Sequence, residues 1–159
     1  MEDVNYVLVN DFKERYIEVP VRPVTRVYFV NSTKSKGGFV RTRLDHTLGM
    51  ILGQVTVKDS YRKRKIRRKG VGMARIKLVL SSDLEHGKIS ERSIQQLGVL
   101  LDKFFRDVFC MYVQGAVRTG CSENYAVTLF LDDYGICEDV WSLDTAKKAF
   151  RDNKKNVSV

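Results

Sequence analysis

In the first half of the chain, apolar residues come in short runs that alternate with polar ones. These runs are rich in β-branched and aromatic residues, and after residue 73 Arg75 and Lys77 alternate with apolar neighbours. A period of two is typical of a strand with one buried face. The pattern predicts strands at 6–9, 16–19, 24–30, 39–44 and 73–80.

Two prolines punctuate this region, and the chain has no others. Proline has no N–H to donate to a strand ladder, so sheets confine it to edges and bends. Pro20 and Pro23 therefore predict a break between the strand at 16–19 and the strand at 24–30.

Beyond residue 81 the apolar residues follow alternating steps of three and four, which is the spacing of a helix face. Ser90 is a good N-cap, so we expect a long helix from there to about residue 115 or 118. Its main stripe would pack on the sheet. The stripe consists of Ile94, Leu97, Leu101, Phe104, Val108 and Met111.

Two shorter helices follow. The first spans 123–134, with Tyr125, Leu129 and Phe130 inward, and Gly135 is a natural left-handed stop with Ile136 as its apolar contact. The second is capped by Ser142 and spans 143–152. It would turn Ala149 and Phe150 inward and Lys147, Lys148 and Arg151 outward.

Together these elements predict an α+β fold in one domain of 159 residues. Residues 1–81 would form a mostly antiparallel sheet with a basic arm at 58–77, and residues 82–159 would be helical. An apolar fraction of 43% is enough for a core.

Composition also bounds the location. No apolar run approaches the ~20 residues that span a bilayer, so we expect no membrane segment. The first residues lack the basic start and apolar stretch of a secretory signal. Three cysteines without paired spacing argue against a disulfide framework. We therefore expect an intracellular, cytoplasmic protein.

The charge is concentrated in one segment. Residues 58–77 hold ten Lys or Arg and one acid, so their net charge is +9, which equals that of the whole chain. Seven of the eight residues at 62–69 are cationic. Such a cluster repels itself and indicates an anionic partner. A solvated basic loop and a nuclear-localisation address are the alternatives.

The flanks of this segment are strand-like. Residues 54–57 enter it with a β-branched pattern, residues 73–80 leave it, and Gly70 and Gly72 break the chain between. The economical model is a β-hairpin arm with its cations near the tip. Such a ribbon can enter a nucleic-acid groove or lie along phosphates.

Nucleic-acid binding is therefore the function that the sequence favours, with DNA slightly ahead of RNA. Arginine forks suit phosphate, while Tyr61 and Ile66 could stack on bases or simply hold the hairpin together. The predicted contacts are Lys58, Tyr61, Arg62, Lys63, Arg64, Lys65, Arg67, Arg68, Lys69, Arg75 and Lys77.

Two alternatives stay open. Lys147, Lys148 and Arg151 are secondary nucleic-acid candidates, because a basic second helix invites a helix-turn-helix interpretation that the long connection weakens. The runner-up function is a structural or assembly protein of a nucleoprotein particle or virion. Its basic arm would grip a partner chain and its long helix could form a homo-oligomer.

Catalysis finds little support. His46 and His86 have no metal-ligand spacing with cysteine or carboxylate, and the acid pairs 132–133 and 138–139 have no catalytic partner beside them. A small nuclease would need a carboxylate cluster next to the arm. We therefore expect a binding protein, not an enzyme, with no metal and no cofactor.

Overall fold

The computed structural model describes residues 6–9, 12–35, 38–41, 72–79 and 90–157. These residues form an α+β fold, as predicted. Of the predicted basic arm, residues 58–71 lie outside the described part. The elements are β1 (Tyr6–Val9), β2 (Phe12–Val21), α1 (Pro23–Ser32), β3 (Phe39–Arg41), β4 (Ala74–Val79), α2 (Glu91–Arg118), α3 (Glu123–Asp133) and α4 (Leu143–Val157).

The sheet has the strand order β1-β2-β4-β3. β2 is antiparallel to β1 through residues 12–15 and to β4 through residues 16–21. β3 is parallel to β4, so the expectation of an antiparallel sheet is wrong on this side. Parallel neighbours need a long crossover, and the connection from 42 to 73 provides the length.

This strand order limits the predicted hairpin. β4 has β2 on one edge, and residues 77–79 have β3 on the other. Because a strand has only two edges, a hairpin partner could pair with β4 only through residues 74–76. The predicted partner strand, 54–57, lies outside the described residues.

The predicted strand at 24–30 is wrong, because these residues lie in α1. Pro23 is the first helical residue, where a missing N–H costs nothing. Val24, Tyr28 and Phe29 lie four and five residues apart and are all buried, which a helix achieves with one face. The Tyr28 ring lies 5.4 Å from that of Phe105. Packing of this kind overrides the β propensity of the segment.

The predicted break in the region of the two prolines is confirmed, because β2 ends at Val21 and α1 begins at Pro23. Pro20 itself, however, lies within β2 opposite Arg75. β1 pairs only with residues 12–15, so at Pro20 the described pairing of β2 is one-sided. A strand tolerates proline where the missing N–H would face away from a neighbour.

The start of α2 confirms the predicted cap: Ser93 donates its N–H to Ser90 Oγ at 3.2 Å. The predicted stripe is wrong at its end, because Met111 is 72% exposed. The inward face turns as the helix leaves the sheet and meets α3. There the Phe109 ring lies 5.1 Å from that of Phe130.

The two shorter helices are largely as expected. Gly135 has a φ of +58° and stops α3, while Ile136 donates its N–H to the Leu131 carbonyl at 2.8 Å. Tyr125, however, is 57% exposed, because its neighbours Ala126 and Val127 take the inward positions.

α4 runs to Val157, beyond the predicted end at residue 152. One outward prediction is wrong, because the Lys147 side chain is only 17% exposed. Within the described ranges, no helix combines the length and the apolarity that crossing a membrane requires.

Candidate nucleic-acid interface

The sheet separates two faces with opposite chemistry. One face packs on the helices through Ile17, Val19, Val40, Ile76 and Leu78, each at most 7% exposed. Strand alternation places the neighbours of these residues on the opposite side, which we call the outer face. The outer face comprises Tyr16, Glu18, Pro20, Phe39, Arg41, Arg75, Lys77 and Val79.

Lys77 lies at the centre of the outer face, between Glu18 of β2 and Phe39 of β3. Its Nζ is 5.0 Å from the centroid of the Phe39 ring and 5.6 Å from that of Tyr16. A cation at this distance is attracted by the negative face of an aromatic ring. The two rings therefore hold the Lys77 ammonium on the outer face.

The two rings also contact each other. The centroids of Tyr16 and Phe39 are 5.2 Å apart, with the ring planes at 84° in an edge-to-face arrangement. Their strands flank β4, so the backbones are about 10 Å apart and the rings lean toward each other over that strand. Val79, the register partner of Tyr16 on the outer face, is only 4% exposed and does not belong to the main core.

Arg75 is a strongly exposed cation of this face, with its side chain 72% exposed. Its Nη1 donates to Glu18 Oε2 at 3.0 Å. Its carbonyl accepts a hydrogen bond from Arg26 Nε at 3.1 Å, which ties α1 to β4. An ion pair this exposed adds little stability, so the carboxylate mainly neutralises a charge.

Arg41 is the third cation of the outer face, after Lys77 and Arg75. It lies at the end of β3, where it is exposed and is the register partner of Val79. Over residues 16–20 of β2 and the described lengths of β3 and β4, the outer face thus carries three cations and one acid, Glu18. Cations and aromatic rings occur together on one sheet face.

The cationic run at 58–69 lies outside the described residues, and so do its predicted contacts. Only Arg75 and Lys77 of the predicted site are described, and the structure brings them to one face. Five residues separate Lys69 from Arg75, so the six Cα–Cα steps between them span at most ~22 Å. The basic run therefore ends within that distance of the outer face.

The secondary candidates on α4 lie elsewhere. Ala146 and Phe150 anchor α4 in the core, on the opposite side of the sheet from the outer face. Lys147 Nζ lies 3.6 Å from Asp144 Oδ1, and Arg151 Nε lies 2.8 Å from Glu123 Oε1. Two of the three predicted cations are thus paired with acids.

The third, Lys148, lines a cleft of about 370 Å³ near the start of α1. Asp102 lines it as well and accepts the Arg22 N–H at 3.0 Å. Trp141 forms part of the wall, with its ring 5.4 Å from that of Phe105. Three bases and two acids line this cleft, so its charge is mixed and it does not offer a polyanion a purely positive surface.

No cluster of three or more His, Cys, Asp or Glu residues suited to a metal occurs in the described ranges. Asp133 accepts the Tyr112 hydroxyl, and this hydrogen bond raises the pKa of Tyr112 to about 12. His46 and His86 lie outside the described residues.

Sequence reasoning missed Tyr16 and Phe39 as parts of the site. Both alternate with buried neighbours, Ile17 and Val40, and that alternation could have assigned them to an outer face. Their meeting over β4 depends on the strand order, which the pattern does not contain.

No protein-family model matches the chain, and no curated protein or solved structure matches it either. The function must therefore be inferred from the chemistry of these residues themselves.

Proposed function

We propose that this protein binds nucleic acid without catalysing a reaction, and that it grips the phosphate backbone through the basic segment 58–77. The observation that carries the proposal is the position of Arg75 and Lys77. Both lie on the outer face of β4, directly after a run in which seven of eight residues are cationic. Two further cations of the segment 58–77 thus lie on one face of the described sheet.

Phosphate contact explains this arrangement physically. Lysine and arginine that neutralise phosphates release condensed counterions, and this release supplies the affinity. Such contacts position a protein on the strand but carry no base identity. We therefore propose binding with little sequence preference, and DNA is the first ligand to test.

The test is a titration of the intact protein with duplex DNA, single-stranded DNA and structured RNA, at low and moderate salt. Arg75→Gln and Lys77→Gln should each weaken binding. Lys103→Gln is the matched control, because Lys103 is an exposed cation on α2. If all three variants lost the same affinity, the net charge of the protein and not the outer face would determine binding. If the intact protein bound no nucleic acid at low salt, the proposal would be refuted.

An assembly protein is the second candidate. Met111 on α2 is 72% exposed, which is unusual for a large apolar side chain. It lies among exposed polar residues, including Asp107 and Gln114, so this surface is mixed. Self-association that Met111→Lys abolishes, together with weak binding to free nucleic acid, would favour this candidate.

A further inference from the structure

The aromatic rings of Tyr16 and Phe39 form a pair on the outer face, away from the main core. Tyr16 and Phe39 are half-buried and lie outside the main core, whereas Ile17 and Val40 beside them are buried within it. Cross-strand aromatic contacts stabilise sheets, which accounts for the pair as such. It does not account for a lysine held over the rings and two arginines on the same face of the sheet.

Cations around aromatic rings suit one kind of ligand. A base of a single strand has a free π-face that can stack on an aromatic side chain, while its neighbouring phosphates meet lysine or arginine. In a duplex the base faces are stacked on one another and are closed to a sheet surface. Arg75 and Lys77 are two residues apart on β4, or about 7 Å, so they line the strand beside the rings.

We propose that the outer face is a stacking platform for single-stranded nucleic acid, with bases on Phe39 and Tyr16 and phosphates at Lys77 and Arg75. This inference rests on the proposed function and adds the class of ligand to it.

The experiment compares an oligothymidine with an abasic strand of the same length and charge, each titrated against the intact protein. Wild type should bind the base-bearing strand more tightly. Phe39→Leu removes the ring but keeps apolar bulk, and it should lower affinity for that strand about tenfold. Its affinity for the abasic strand should not change, and Phe39→Tyr should retain the preference.

Several outcomes would overturn the inference. One is that wild type binds the two strands with equal affinity. Another is that Phe39→Leu lowers the affinity for both strands by the same factor. Melting temperatures check that Phe39→Leu is folded, and Tyr16→Leu replaces it if it is not. Tight duplex binding with no base preference would leave the proposed function standing and refute the platform. A parallel titration with oligouridine shows whether the platform binds RNA as well as DNA.

Discussion

The guanidinium of Arg75 and the carboxylate of Glu18 lie 3.0 Å apart on the outer face of the sheet. The arginine side chain is 72% exposed and that of the glutamate 28%. Because the pair is open to solvent, it contributes little to stability. Its main effect is to neutralise one of the cations at the proposed interface.

Substitutions of the two residues of this pair should change the affinity for nucleic acid in opposite directions. Glu18→Gln releases the charge of Arg75 and should tighten nucleic-acid binding several-fold. Arg75→Gln should weaken binding and reduce the slope of log affinity against log salt by about one. Fluorescence titrations over a salt series measure both effects. Changes of the same sign would show that Arg75 does not contact phosphate.

A second prediction concerns the core. Leu101 is fully buried on α2, so Leu101→Ala should lower the free energy of unfolding by roughly 2–5 kcal/mol. The neighbouring Leu100 is 39% exposed, and Leu100→Ala should cost much less. Urea denaturation gives both values. If Leu101→Ala dissolved an oligomer at unchanged monomer stability, Leu101 would belong to a subunit interface instead.

Tyr112 predicts a change of stability at alkaline pH. Its hydrogen bond to Asp133 raises the pKa from 10.0 to about 12 in the folded protein. A raised pKa gives stability that is complete below pH 10 and is lost as the pH rises through about 12. The unfolding free energy of wild type should therefore fall more steeply over this interval than that of Tyr112→Phe. Parallel curves would show that the hydrogen bond does not form in solution.

The cysteines should differ in reactivity. Cys110 is buried, and burial raises the pKa of its thiol, whereas Cys137 is exposed. Because the thiolate is the reactive form, a thiol reagent should modify Cys137 first and Cys110 only as the protein unfolds. Cys137→Ser should remove the fast phase. Rapid modification of Cys110 in that variant would mean that α2 opens locally.

The sequence predicted those elements whose signals are local. Ser90 and its apolar stripe identified α2, and Gly135 identified the end of α3, because caps and helix faces depend on neighbouring residues. α1 was missed because Tyr28 and Phe29 favour a strand locally, and only their packing against other helices selects the helix. The contact of Tyr16 with Phe39 depends on strand order, which is set by the whole sheet.

The most direct test of nucleic-acid binding is the salt dependence of affinity for duplex DNA, measured for the intact protein and for a variant that lacks residues 62–69. If the basic run neutralises ~4–6 phosphates, the slope of log affinity against log salt should be roughly −4 to −5. The deletion should flatten this slope and lower affinity for every DNA sequence alike. A deletion variant that keeps the full slope, or that still binds one sequence tightly, would contradict the proposed role of the basic segment.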